Sequence, residues 1–121
     1  MANPVVHFEV TGKDGDALAG YYRTLFGWET QAVPDLNYNM VAKPEDGPGI
    51  GGGIGSSQDG SSLATFYVQV DDPQKALDKA VELGGKVAMP VMSIPGIVTL
   101  AQFSDPAGNV IGLVGSETPP A

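Results

Sequence analysis

The chain has 121 residues, no cysteine, and fourteen Asp and Glu against six Lys and Arg, for a net charge of −8. That acidity repels phosphate backbones and anionic lipids, which removes nucleic acid and membrane surfaces as partners. The missing thiols remove disulfides, thiol nucleophiles and Cys-type zinc sites. No apolar run approaches the roughly 18 residues of a membrane span, and Met1-Ala2-Asn3-Pro4 carries no basic leader. The expectation is one small cytoplasmic, globular domain.

In chain order, Val5 to Val10 alternates Val6, Phe8 and Val10 with Val5, His7 and Glu9, the period of a strand with one apolar and one mixed face. Leu18, Tyr21, Tyr22, Leu25 and Phe26 then follow the i, i+3, i+4, i+7, i+8 spacing of an amphipathic helix. Asp14 or Asp16 supplies its N-cap and Gly27 its left-handed end. Trp28 to Val33 and Asn37 to Lys43 read as short strands. Ile50 to Gly55 reads as a fourth, weakened by its glycines.

After the polar connection Gln58 to Ser62 the order repeats. Ala64 to Val70 alternates like the first strand. Asp72-Pro73 is an N-cap with proline at the first helical position. Ala76, Leu77, Ala80 and Val81 form the apolar stripe, and Gly84-Gly85 stops the helix. Lys86 to Met92 and Ile97 to Phe103 read as strands joined through a Pro95-Gly96 turn of type II. Asp105 to Asn109 is a further turn, and Val110 to Val114 the last strand. Both halves therefore read β-α-β-β-β. His7 plus 60 is Tyr67, and Ile50 plus 61 is Ile111, so the offset is nearly constant. Two units too small to bury a core separately make one structure. The expected cores are Val6, Phe8, Val10, Leu18, Tyr22 and Leu25 in the first half. Phe66, Val68, Val70, Leu77, Ala80 and Val81 are expected in the second.

Four motifs then resemble one superfamily. They are Val6-His7-Phe8-Glu9-Val10, Tyr21-Tyr22-Arg23-Thr24-Leu25-Phe26-Gly27-Trp28, Ala80 to Val87, and Asp105-Pro106-Ala107-Gly108-Asn109-Val110-Ile111-Gly112-Leu113. In that order and spacing they resemble the vicinal oxygen chelate superfamily of glyoxalases, bleomycin-resistance proteins and extradiol dioxygenases. The resemblance implies an α+β fold of two βαβββ modules, a curved mixed sheet around a cleft. It divides the chain into a module at about 4–56, a second at about 63–115 and a tail at 116–121. It also points to a homodimer, the commonest symmetric cover for exposed sheet edges.

Metal-using members of that superfamily carry His, Gln or Glu ligands at four positions, which match His7, Gly51 or Gly52, Tyr67 and Gly112 here. Two of these have no side chain and one is a phenol, whereas zinc-type sites need about three protein donors. The ligand-binding residues expected from strand alternation are His7, Glu9, Tyr67 and Gln69, and His7 and Glu9 are the candidate acid–base pair. The leading expectation is a small-molecule-binding protein with no metal or other cofactor. Its competitors are a lyase, isomerase or dioxygenase that uses Zn, Ni, Fe or Mn, a metal-free acid–base catalyst, and an interaction module. Gly51-Gly52-Gly53 lacks the Lys and helix of a phosphate loop and reads as close backbone approach.

Overall fold

A computed structural model describes residues 2–95 and 98–116. Gly96 of the expected Pro95-Gly96 turn, the following Ile97, and most of the expected tail, residues 117–121, lie outside the described residues. Eight strands and two helices follow in the order β1 (Val5–Gly12), α1 (Gly15–Phe26), β2 (Thr30–Val33), β3 (Tyr38–Val41), β4 (Gly51–Ser56), β5 (Leu63–Gln69), α2 (Pro73–Glu82), β6 (Lys86–Ile94), β7 (Val98–Ser104) and β8 (Val110–Ser116). The fold is α+β and repeats βαβββ, as expected. Its backbone divides into a compact unit over Val6–Thr65 and a second unit running from Phe66 onward together with the residues up to Val5.

In the first unit the strand order is β2-β3-β4-β1. β1 and β4 are parallel, with His7 opposite Gly51 and Glu9 opposite Gly53, and β3 is antiparallel to both β2 and β4. The second unit has the order β5-β8-β7-β6. There β5 and β8 are parallel, with Tyr67 opposite Gly112, and β7 is antiparallel to β6 and β8. The numerical repeat is thus a repeat of register. His7 and Tyr67 hold equivalent places, and Gly51 is the residue that corresponds to Gly112.

Asp14 caps α1 by accepting from the Ala17 amide, and Gly27 closes it in the left-handed region at φ 73°. Asp72 caps α2 through the Gln74 and Lys75 amides, with Pro73 in the first turn. The core of the first unit is Ala19, Val41 and Ile54, packed by Phe8, Leu18, Tyr22 and Trp28. This corrects the expected stripe. Tyr21, Leu25 and Phe26 are more than half exposed, because α1 turns its small residues to the sheet. A Cβ on Gly15 would lie 2.6 Å from the Gly55 carbonyl carbon. Gly15 and Ala19, one turn apart, let the helix approach β4 more closely than large side chains permit.

The second core is Leu77, Ala101 and Leu113, packed by Val70, Ala76, Val91 and Phe103. Phe66 and Val81, both expected inside, are substantially exposed. Helix α2 rests mainly on β7, β6 and β8. Val70, just past the end of β5, packs against this core.

Candidate functional site

Strand alternation puts Phe8 on the helix side of β1 and sends His7 and Glu9 to the opposite face. On that face the first unit assembles a chain of three side chains. The Tyr38 hydroxyl donates to Glu9 Oε1 at 3.1 Å and lies 2.9 Å from His7 Nε2. Tyr38 stands at the start of β3, opposite Gly55 of β4. Its ring reaches His7 and Glu9 by crossing β4, where only glycine leaves it space. A Cβ on Gly55 would lie 2.7 Å from Tyr38 Cδ1, and one on Gly53 would overlap the Tyr38 hydroxyl. The glycines that weakened this segment as a strand are the channel for the tyrosine. Burial holds the half-buried His7 imidazole below its ordinary pKa of 6.5.

The equivalent face of the second unit is built differently. The Tyr67 ring lies over Gly112 in the volume that a side chain there would fill. Its hydroxyl accepts from Gln102 Nε2 at 2.9 Å, and the residue is only 6% exposed. Gln69 is exposed, and its backbone amide donates to the Pro4 carbonyl at 2.9 Å. Of the four expected ligand-binding residues, then, His7 and Glu9 are joined through Tyr38. Within the second unit Tyr67 packs over Gly112 and accepts from Gln102, and Gln69 stands two residues further along the same strand.

Tyr38 and Gln102 are the site residues that sequence reasoning missed. Glycines alternating at 51, 53 and 55 on one strand face carried a signal, since such a stripe leaves room for a ring to lie flat. Gln102 carried none.

At the four positions that the resemblance marks for ligands, this chain has one imidazole, one buried phenol and two glycines. A donor introduced at Gly112 meets the Tyr67 ring, whereas a Cβ at Gly51, the position opposite His7, would lie 3.1 Å from the Val41 carbonyl oxygen. Among the described residues no three His, Asp or Glu side chains converge to hold an ion.

Known proteins agree with the architecture. The sequence pattern of the glyoxalase-like domain matches residues 7–114, nearly the whole length. The chain belongs to the glyoxalase-like domain family. Among curated relatives, this glyoxalase-like domain is 30% identical over 111 residues to CFP32 of Mycobacterium tuberculosis, provisionally named a glyoxylase, covering 83% of this chain and 41% of that protein. It is 31% identical over 130 residues to the anthracycline biosynthesis protein DnrV of Streptomyces peucetius, covering 84% of this chain and 42% of that protein. The chain therefore spans less than half the length of these relatives. Among solved structures, the Mn(II)-bound glyoxalase of Novosphingobium aromaticivorans superposes with a TM-score of 0.64 at 18% identity, over 98% of this chain and 42% of that one. A Streptomyces coelicolor methylmalonyl-CoA epimerase in complex with 2-nitronate-propionyl-CoA gives 0.64 at 14% identity, over 98% and 100%. At such identities the shared property is the fold, that of the vicinal oxygen chelate superfamily. Among the described residues no helix is long and apolar enough to cross a membrane.

Proposed function

We propose that this glyoxalase-like domain binds a small organic molecule at the His7–Glu9 face of its first unit and does so without a resident metal. The observation that carries the reading is the Tyr67 ring over Gly112. A phenyl ring that fills a ligand position is incompatible with a four-donor centre of the superfamily's type, and the remaining imidazole falls short of the roughly three protein donors such centres use. An organic ligand is supported by the polar trio His7–Tyr38–Glu9, and by a structural neighbour whose complex holds a propionyl-CoA analogue. In this reading His7 and Glu9 contact the ligand, while Tyr67 serves as packing. The two modules act as one cytoplasmic domain.

We also propose a homodimer, since β2 pairs only with β3 and β6 only with β7 among the described residues. Unpaired strand edges are ordinarily covered. Sedimentation at high concentration should give twice 12.5 kDa, and a clean monomer would remove the dimer.

Protein purified without chelator should hold less than about a tenth of an equivalent of transition metal, given the shortage of donors. Native mass spectrometry of the same preparation should reveal any co-purified organic mass, and His7→Ala should release it. Stoichiometric zinc, nickel, iron or manganese, lost in His7→Ala, would overturn the reading in favour of a metal-dependent lyase, isomerase or dioxygenase.

A further inference from the structure

We infer that the Asp46–Gly47 step, in the connection between β3 and β4, is a modification site where a succinimide forms spontaneously and turns Asp46 into isoaspartate in the folded protein. The chain has three Asp-Gly steps, at Asp14, Asp46 and Asp59. All three have the sequence this chemistry needs, because glycine carries no side chain to crowd its amide against the neighbouring carboxyl. The fold separates them.

In the reaction the Gly47 nitrogen attacks Cγ of the protonated Asp46 carboxyl. An N–Cγ bond forms, a Cγ–O bond breaks, and the amide hydrogen leaves with the hydroxyl as water. Water then opens the imide ring at one of its two carbonyls. Opening at Cγ restores aspartate. Opening at the main-chain carbonyl of Asp46 routes the backbone through Cγ and leaves the α-carboxylate as the side group. One negative charge is lost while the ring is closed and regained when it opens, and water is the only co-reactant.

The step at Asp14 is locked. The Gly15 amide donates to Ser56 Oγ at 2.8 Å, and Asp14 Oδ1 accepts from the Ala17 amide at 3.1 Å. Gly15 is also buried against Gly55 of β4, so reaction there requires the start of α1 to open. At Asp59 the carboxyl is clamped. Its Oδ1 accepts from the Ser61 amide at 3.0 Å and from the Ser61 hydroxyl at 2.6 Å. Those bonds hold the carboxyl below its ordinary pKa, which depletes the protonated form that loses water.

Asp46 has neither restraint. Residues 42–50 are exposed throughout, and a Cβ on Gly47 would meet nothing within 4 Å. Among the described residues nothing hydrogen-bonds the Asp46 carboxyl or the Gly47 amide. Gly47 sits at φ 87°, a backbone that favours glycine, so the turn itself calls for the residue that makes the step reactive. The product fits the fold. The altered segment lies between the Ala42 amide, which donates to the Glu29 carbonyl at 3.0 Å, and Gly51, where β4 begins. One extra main-chain atom there falls in exposed chain and leaves both strands paired.

The test keeps the intact, purified chain folded in warm neutral buffer and samples it over weeks. Peptide maps with a protease that cuts before aspartate but not before isoaspartate, read with electron-transfer fragmentation, score each step. Isoaspartate should accumulate at position 46 at least about tenfold faster than at 14 or 59, the scale of protection that a need for local opening confers. Asp46→Glu keeps the charge and should abolish the signal. Ser61→Ala should raise conversion at Asp59 towards that at Asp46. In urea the three rates should converge, because the sequence alone then sets them. Equal rates at 14, 46 and 59 in the folded protein, or no isoaspartate at 46, would overturn the inference. So would a ranking that survives unchanged in urea, since flanking sequence and not the fold would then account for it.

Discussion

The Tyr67 ring lies across Gly112, its register partner on β8, in the space that any side chain at Gly112 would occupy. One residue's lack of a Cβ is thus the condition for the other's burial. Gly112→Ala should destabilise the domain by about 1–3 kcal/mol, the usual cost of overpacking a filled site. The same substitution in a Tyr67→Ala background should cost distinctly less, since the obstructing ring is gone. Urea denaturation of the four proteins of this cycle measures the coupling. Strict additivity would show that the two residues do not share the space.

Core substitutions should separate the buried apolar residues from the exposed ones of the same helix-and-sheet layer. Ile54 is fully buried against Ala19 and Val41, and Ile54→Ala should cost about 2–5 kcal/mol. Leu25 is 56% exposed, so Leu25→Ala should stay within about 0.5 kcal/mol. Comparable losses in the two variants would contradict the rotation of α1 that puts Gly15 and Ala19 on the sheet.

The single histidine gives a clean pH signature. Burial lowers the folded pKa of His7 below 6.5, whereas the unfolded chain keeps the ordinary value. Between the two, the unfolded chain binds a proton that the folded one does not, so stability rises with pH across that window. The contribution is complete above about pH 6.5 and is lost as pH falls through the folded pKa. His7→Gln should flatten the stability curve over that interval, with the steeper fall from carboxylate protonation at lower pH left in place. A slope of the same size in the variant would assign the effect to other groups.

Helix α2 depends on a cap that the sequence announces. The Asp72 carboxylate accepts from the Gln74 and Lys75 amides at 3.0 and 3.2 Å. Asp72→Ala should cost about 0.5–2 kcal/mol, and Asp72→Asn should recover most of it, because an amide oxygen caps nearly as well. Thermal melts of the three proteins decide between capping and a merely surface charge.

Much of this protein was determined by local sequence. Alternation at Val6 to Val10 and again at Ala64 to Val70, the caps Asp14 and Asp72, the stop at Gly27 and the turn at Asp105 to Asn109 all act within a few residues. Each therefore survives translation directly into structure: Asp105 does accept from the Ala107 and Asn109 amides at 2.9 Å. The +60 offset even carried the register, because equal spacing in two copies puts equal residues opposite each other. Which face of α1 is buried was not legible in this way. Hydrophobicity nominated Leu25 and Phe26, but close approach of helix to sheet selected Gly15 and Ala19, and that choice depends on the distance to Gly55 on a strand some forty residues away. The site divides along the same line. Alternation placed His7 and Glu9 together on one face of β1. Only the tertiary structure brought Tyr38 between them and laid Tyr67 over Gly112, because a ring's destination is set by the empty volume across a neighbouring strand, and no local rule reports that volume.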